Sequence, residues 1–396
     1  MKKVSILFLV VMVILFNSIS AFAQTEQLGS QKKNTYKVAI VAPLYLDSVF
    51  SGNYYKYGKG FPAFAMAGFD FVQGASMAVN NFFDDSVIIE AKVYDSKATV
   101  YPLSEMLNGT EMRDVKLIIG SVKDQDFLQL AKLAADKKIP FVSATYPNDG
   151  GVKNDPFLII HNSTLQTHCE TIFTYLLTNH GTEKIVFVRK PDARGDMVSE
   201  IFTKLNSPDK NKLLNLDIIN LDTEEYTSIA SHLDSTKSTL VIGASLDAEF
   251  CAGLVRYLAS VKSKYPSKII GMPSWEGINF NAPAYKDYEI LYTTNYYNPK
   301  NTSTAKSIAS SYRQNFKGNA SEVVYKAYDV TSYFLSILKD YPTSMMEHMN
   351  YGTDKVFTNP IYFPNYTDVN DLRPNFYENR RAFFLKKLNG NISRVW

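Results

Sequence analysis

The chain has 396 residues, 42 Lys and Arg against 39 Asp and Glu, and a formal net charge of +3. So even a balance gives no electrostatic case for nucleic acid or an anionic membrane surface as partner. Two cysteines and five scattered histidines exclude a disulfide scaffold and show no zinc-type spacing, so no metal or cofactor is expected, and the length points to two domains.

Residues 1–23 read as an export signal: Lys2 and Lys3 form a basic start, Ile6 to Phe16 an apolar core, and Ala21-Phe22-Ala23 a small-x-small cleavage site before Gln24. A membrane anchor is the competing reading, but the apolar run is short for a span, and no later run approaches the roughly 20 apolar residues a membrane helix needs. No cysteine near the site offers a lipid attachment point. The mature chain is expected to start at Gln24, to be exported, and not to insert in the membrane.

Strand and helix then alternate. Lys37 to Ala42 is an apolar strand. An aromatic insertion from Pro43 to Gly68, rich in Tyr, Phe and Gly, reads as a surface loop that either covers a flank, roofs a cleft or meets a partner. Phe69 to Phe83 is a helix, Val87 to Tyr94 a strand, and Leu103 to Met112 a weak helix. Lys116 to Ser121 is a strand, Asp124 to Lys137 a helix, and Lys138 to Thr145 a strand ending in hydroxyls. The rhythm restarts at Phe157 to Ile160. Helices follow at Thr164 to Thr178, Asp196 to Leu205, Glu225 to Leu233 and Ala248 to Val261. Strands lie at Lys184 to Val188, Leu216 to Asn220, Leu240 to Gly243, Lys268 to Gly271 and Glu289 to Thr293. Two long helices, Thr304 to Phe316 and Glu322 to Leu338, precede a tail rich in Pro, Asn, Tyr and Phe. Asn389-Gly390 in that tail signals a hairpin between Arg381–Leu388 and Ile392–Trp396.

Such alternation means parallel sheets covered on both faces. The expected fold is therefore α/β, with two doubly wound parallel-sheet lobes and a ligand cleft between them. Lobe 1 is expected to hold 24–155 plus 303–345, lobe 2 to hold 156–302, and 346–396 to be a tail with a hairpin near the hinge. Crossings are placed near Gly151 to His161 and Asn295 to Thr302. The strands ending at Ser121 and at Ser143-Ala144-Thr145 are joined by one helix, so they run parallel and end at the same edge. Ligands bind outside the carboxyl ends of strands in open α/β sheets, so that edge, with its hydroxyls and free backbone N–H groups, is the candidate site. The competing reading is hydroxyls that only cap the next turn.

The order of motifs resembles the type I periplasmic binding fold, in the branched-chain amino-acid-binding branch of the ABC transporter substrate-binding proteins. Gly74-Ala75-Ser76-Met77-Ala78-Val79-Asn80, Ile119-Gly120-Ser121, Ile139 to Thr145, Gly243 to Ala248 and Ala327-Tyr328-Asp329-Val330 carry the resemblance. It implies a periplasmic solute-binding protein that closes two lobes on a small polar, amino-acid-like ligand and delivers it to a membrane permease. A sensor or envelope scaffold on the same fold is the alternative. The resemblance further implies ligand contacts from Ser121, Ser143, Ala144 and Thr145 on one lobe and from Arg194, Trp275 and Glu276 on the other. Lys123, Asp124 and Arg194 depart from the family pattern. An arginine where an aromatic is usual favours a ligand with an extra anionic group, and Glu276 is expected to accept an ammonium. Trp275 reads either as core or as an aromatic platform. No Gly-x-Ser-x-Gly elbow or phosphate-binding loop is present, so catalysis is not expected. Cys169 and Cys251 are the one conceivable disulfide, and their pairing is left open.

Overall fold

The computed structural model describes residues 33–84, 86–207, 211–221, 225–352, 357–367 and 370–396. The expected export signal lies outside them. Two strand beginnings, Asn34–Tyr36 and Val87–Glu90, belong to a small unit of their own, in which Asn34 N–H donates to Ser86 O at 3.0 Å. Residues 37–82 and 91–396 form the main unit.

In chain order, β1 (Asn34–Ala42) leads to α1 (Leu46–Val49), a ribbon of β2 (Phe50–Ser51) and β3 (Tyr54–Tyr55), and α2 (Ala63–Asn80). Then come β4 (Val87–Asp95), α3 (Leu103–Asn108), β5 (Val115–Gly120), α4 (Asp124–Lys137), β6 (Phe141–Ser143) and β7 (Leu158–Ile160). The next series is α5 (Leu165–His180), β8 (Lys184–Arg189), α6 (Ala193–Asn206), β9 (Asn215–Asn220), β10 (Thr239–Ala244), α7 (Ala248–Val261), β11 (Ser267–Gly271) and β12 (Ile290–Thr294). Last are α8 (Ser303–Phe316), α9 (Glu322–Asp340), β13 (Tyr362–Asn365), β14 (Phe376–Asn379), β15 (Phe383–Leu388) and β16 (Asn391–Arg394).

Among the described residues these strands make two seven-stranded sheets, ordered β13-β14-β7-β6-β5-β1-β4 and β16-β15-β12-β11-β10-β8-β9. The interior strands are parallel, and their runs are buried on both faces, as helices on each side require. Register lines up the strand ends. Val41, Gly120, Ser143 and Ile160 stand in one row of the first sheet. Val188, Gly243, Gly271 and Tyr292 stand in one row of the second.

Leu158–Ile160, expected to open the second lobe, instead pairs with β6 and belongs to the first sheet. Its three apolar residues are fully buried between β6 and β14, an interior position that suits a strand with no polar face. The chain therefore passes to the second sheet after Ile160. It passes back after β12, and α9 then packs along α2. That approach needs Gly74, where a Cβ would stand 2.1 Å from Val324 O. The tail is shared: β13 and β14 complete the first sheet, while the β15–β16 hairpin runs antiparallel to β12 in the second. Asn389 (φ 51°) and Gly390 (φ 77°) make its turn with the two left-handed residues that a tight hairpin prefers.

Local chemistry explains where elements depart from the periodicity. The Asp192 carboxylate accepts from Gly195 N–H at 2.7 Å and starts α6 at Ala193 rather than Asp196. Arg194 thus lies in a helix's first turn, not in a loop. The stretch Glu225 to Leu233 forms a 3₁₀ turn, Tyr226–His232, in place of the expected helix. Ser228 and Ser231 donate back to Glu225 O and Ser228 O there and compete with helical bonding. Cys169 and Cys251 are buried and free. The Cys251 thiol donates to Ser245 O at 3.3 Å.

Candidate functional site

Three chain crossings meet where the sheets adjoin, and side chains knot them together. His161 O accepts from Asn295 Nδ2 at 2.8 Å and Asn379 Nδ2 at 3.1 Å. Ser163 Oγ donates to Asn379 O at 2.6 Å. The buried Glu378 carboxylate accepts from Thr164 N–H (2.8 Å) and Thr167 Oγ1 (2.7 Å). His161 Nδ1 lies 2.6 Å from the Tyr362 hydroxyl and His168 Nδ1 3.1 Å from Thr293 Oγ1. Burial pushes both imidazoles down to about 4, with the Lys326 charge adding to it, so both are neutral near pH 7.

Beside this knot lies a cavity of about 470 Å³. Tyr146, Pro147 and Asn148 form its first-lobe wall, Arg194 and Glu276 its second-lobe wall, and Lys326 of α9 closes one side. Arg194 is exposed, and among the described residues it makes no ion pair. Its backbone is fixed by Gly195, where a Cβ would meet Lys190 O at 2.0 Å.

Glu276 sits in a 3₁₀ turn, Pro273–Gly277. Each of its carboxylate oxygens is 3.4 Å from Lys326 Nζ, and Thr294 Oγ1 donates to Oε2 at 3.4 Å. The turn is clamped from below by Lys387, whose ammonium donates to Glu276 O and Ile278 O, both at 3.0 Å. Lys387 Nζ also lies 5.1 Å from the Tyr292 ring centre, and burial lowers its pKa.

The expected residues divide. Arg194 and Glu276 share the cavity. Trp275 does not reach it: the indole is fully buried in the second-lobe core, with Nε1 donating to Ser245 O at 3.4 Å. The cause is the empty space at Gly243 and Gly271, where added Cβ atoms would lie 2.4 and 2.0 Å from the ring.

Ser121, Ser143, Ala144 and Thr145 stand at the carboxyl edge of the first sheet, beside the cavity wall rather than on it. The Ser121 and Thr145 hydroxyls bond each other at 3.0 Å, and Thr145 O accepts from Asn162 Nδ2 at 2.7 Å. Ser143 is fully buried, and Ala144 is 7% exposed. The backbone N–H groups expected to be free are in use: Ser121 N–H donates to Val41 O and Ala144 N–H to Gly120 O, both at 2.8 Å. The parallel ladder simply continues one residue past each strand. Lys326 escaped the sequence reading because it lies off the apolar stripe of α9 and so resembled a solvated lysine.

A family model described as "Periplasmic binding protein" matches residues 63–350. No curated relative matches the chain by sequence. Among solved structures, a protein from Rhodospirillum rubrum assigned provisionally as a branched-chain amino-acid ABC transporter has TM-score 0.66 at 12% identity, covering 92% of this chain and 100% of its own. A branched-chain amino-acid ABC transporter periplasmic ligand-binding protein from Burkholderia xenovorans has TM-score 0.63 at 10% identity, covering 91% and 94%. An ABC transporter substrate-binding protein from Desulfitobacterium hafniense, in complex with Leu, has TM-score 0.55 at 12% identity, covering 92% and 100%.

Proposed function

Since the chain belongs to the periplasmic binding protein family, with that family's two-lobed type I α/β fold, we propose that it is an exported solute-binding protein serving an ABC transporter. It captures a small polar solute of amino-acid size, carrying an anionic group, by closing the two sheet-bearing lobes, and hands it to a membrane permease. The observation that carries this reading is the cavity at the crossings, where Arg194, without an ion pair among the described residues, shares the lining with Tyr146 and Asn148. A guanidinium there offers a forked donor to an anion. The Ser121–Thr145 hydroxyl pair stands behind the first-lobe wall and keeps that edge polar. Among the described residues no helix is long and apolar enough to cross a membrane, and no group of three metal-ligating side chains occurs. The family's description as binding proteins supports a role in binding rather than catalysis.

Mass spectrometry of small molecules released from the purified chain identifies the solute. Calorimetric titration should then show Arg194→Ala weakening its binding by about tenfold to a hundredfold, the worth of one charge-assisted contact. Equal affinities remove Arg194 from the site. A sensor or envelope scaffold on the same fold is the second reading. It is favoured by the exposed rings of Tyr54 and Tyr57 in the aromatic insertion before α2 and of Phe64 in the first turn of α2. Cross-linking in intact cells separates the two, since a permease partner supports transport.

A further inference from the structure

The cavity's charged lining consists of Arg194, Glu276 and Lys326, a net of one positive charge. Glu276 is the one carboxylate among them, and both its oxygens lie 3.4 Å from Lys326 Nζ. Resting on the reading of this cavity as the solute site, we propose that the solute carries a carboxylate or similar anion and no ammonium group, because the Lys326–Glu276 pair occupies the acid that an ammonium would need.

An incoming ammonium would have to displace a lysine of equal charge. The displaced Lys326 would then stand near His161 and His168, which burial and the Lys326 charge keep neutral and which offer it no counter-charge. Two acids next to lining residues are also committed: Asp247, beside Leu246, is 2.7 Å from Lys190, and Asp124 accepts from the Tyr146 hydroxyl at 3.3 Å. The pair itself is held in place from two sides. Thr294 Oγ1 donates to the carboxylate, and Lys387 fixes the turn that carries it. Among the described residues Arg194 makes no ion pair, so one anionic group completes the lining and a cation on the same solute meets no uncommitted counter-charge. Selection by an unmatched charge is how a site rejects a near-isostere.

The test titrates the purified chain with matched pairs that share a carbon skeleton and exchange the amine for a keto oxygen. These are L-leucine with 4-methyl-2-oxopentanoate, L-glutamate with 2-oxoglutarate, and L-phenylalanine with phenylpyruvate. In at least one pair the keto acid should bind ten times more tightly or better. Lys326→Met releases Glu276 and should lower that ratio at least tenfold. Glu276→Gln releases Lys326 and should tighten the keto acid at least threefold. Thermal unfolding confirms that each variant is folded. Tighter binding of the amino acid in the wild-type chain overturns this proposal alone and leaves the solute-binding reading standing. A keto-acid preference unchanged in both variants also overturns it, by removing the ion pair as cause. No binding by any member of any pair overturns the solute-site reading and this proposal with it.

Discussion

Gly271 has no room for a methyl group: a Cβ would sit 2.0 Å from the Trp275 ring. Gly271→Ala should therefore destabilise the chain by about 1–3 kcal/mol through overpacking. Trp275→Ala should cost about 3–5 kcal/mol by leaving a cavity. Both are read by urea denaturation. Neither should change solute affinity more than the loss of folded protein explains, which separates a core indole from a platform in the cleft. At this scale the sequence was legible where chemistry announces itself. Arg194 stood out as a cation where an aromatic is usual. Trp275 was ambiguous because its place is decided by two glycines some 30 and 4 residues upstream, which only the strand register brings beneath it. The commitment of Glu276 to Lys326 is a contact between residues 50 apart in sequence, and no local pattern encodes it.

At the scale of elements, hydrophobic period located the long helices and buried strands, and a cap corrected the start of α6. The Asp192 and Asp247 carboxylates each accept the N–H three residues on and fix the beginnings of α6 and α7. Strands β13 and β14 were not legible, because short segments with Pro, Asn and exposed Phe363 look like loop until a sheet edge accepts them. Helix α9 also anchors the tail through one acid. The Asp329 carboxylate, 2% exposed, accepts from Thr358 Oγ1 at 2.8 Å and from the Phe357 and Thr358 N–H groups. Burial nevertheless pushes its pKa up to about 7 from 3.8. The native state therefore holds this proton more tightly than the unfolded chain. The stabilisation is complete below pH 3.8 and is lost as pH rises through about 7. Urea titrations of the wild-type chain and Asp329→Asn should show the wild type losing up to about 4 kcal/mol relative to the variant between pH 4 and 8.

For the whole molecule, the crossings decide how the lobes are joined. Asn379, 1% exposed, donates to His161 O and accepts from the Ile361 and Arg381 N–H groups at 3.1 Å. Asn379→Ala orphans the Ile361 and Arg381 N–H groups, each at about 1–3 kcal/mol, while His161 O keeps its bond from Asn295 Nδ2. It should lower the melting temperature by well over 5 °C, as differential scanning calorimetry will show. The two crossing histidines set an opposite pH dependence from Asp329. Their folded pKa values, near 4, lie below the ordinary 6.5, so the stabilisation they give is present above pH 6.5 and lost as pH falls through about 4. His161→Asn should flatten that acid limb in denaturation curves. The two-lobe plan was visible from the strand–helix rhythm alone. The exact crossing was not, because β7 is three apolar residues long and nothing within them says which sheet they join.

The sharing of the tail between both sheets bears on how the protein is made. β14 completes contacts of β7 in the first sheet, and β15 completes those of β12 in the second. While the ribosome is still short of residue 376, each half lacks strands that only the last part of the chain supplies. Neither sheet therefore reaches its full set of strands until the last part of the chain is made, and the two halves reach completion together.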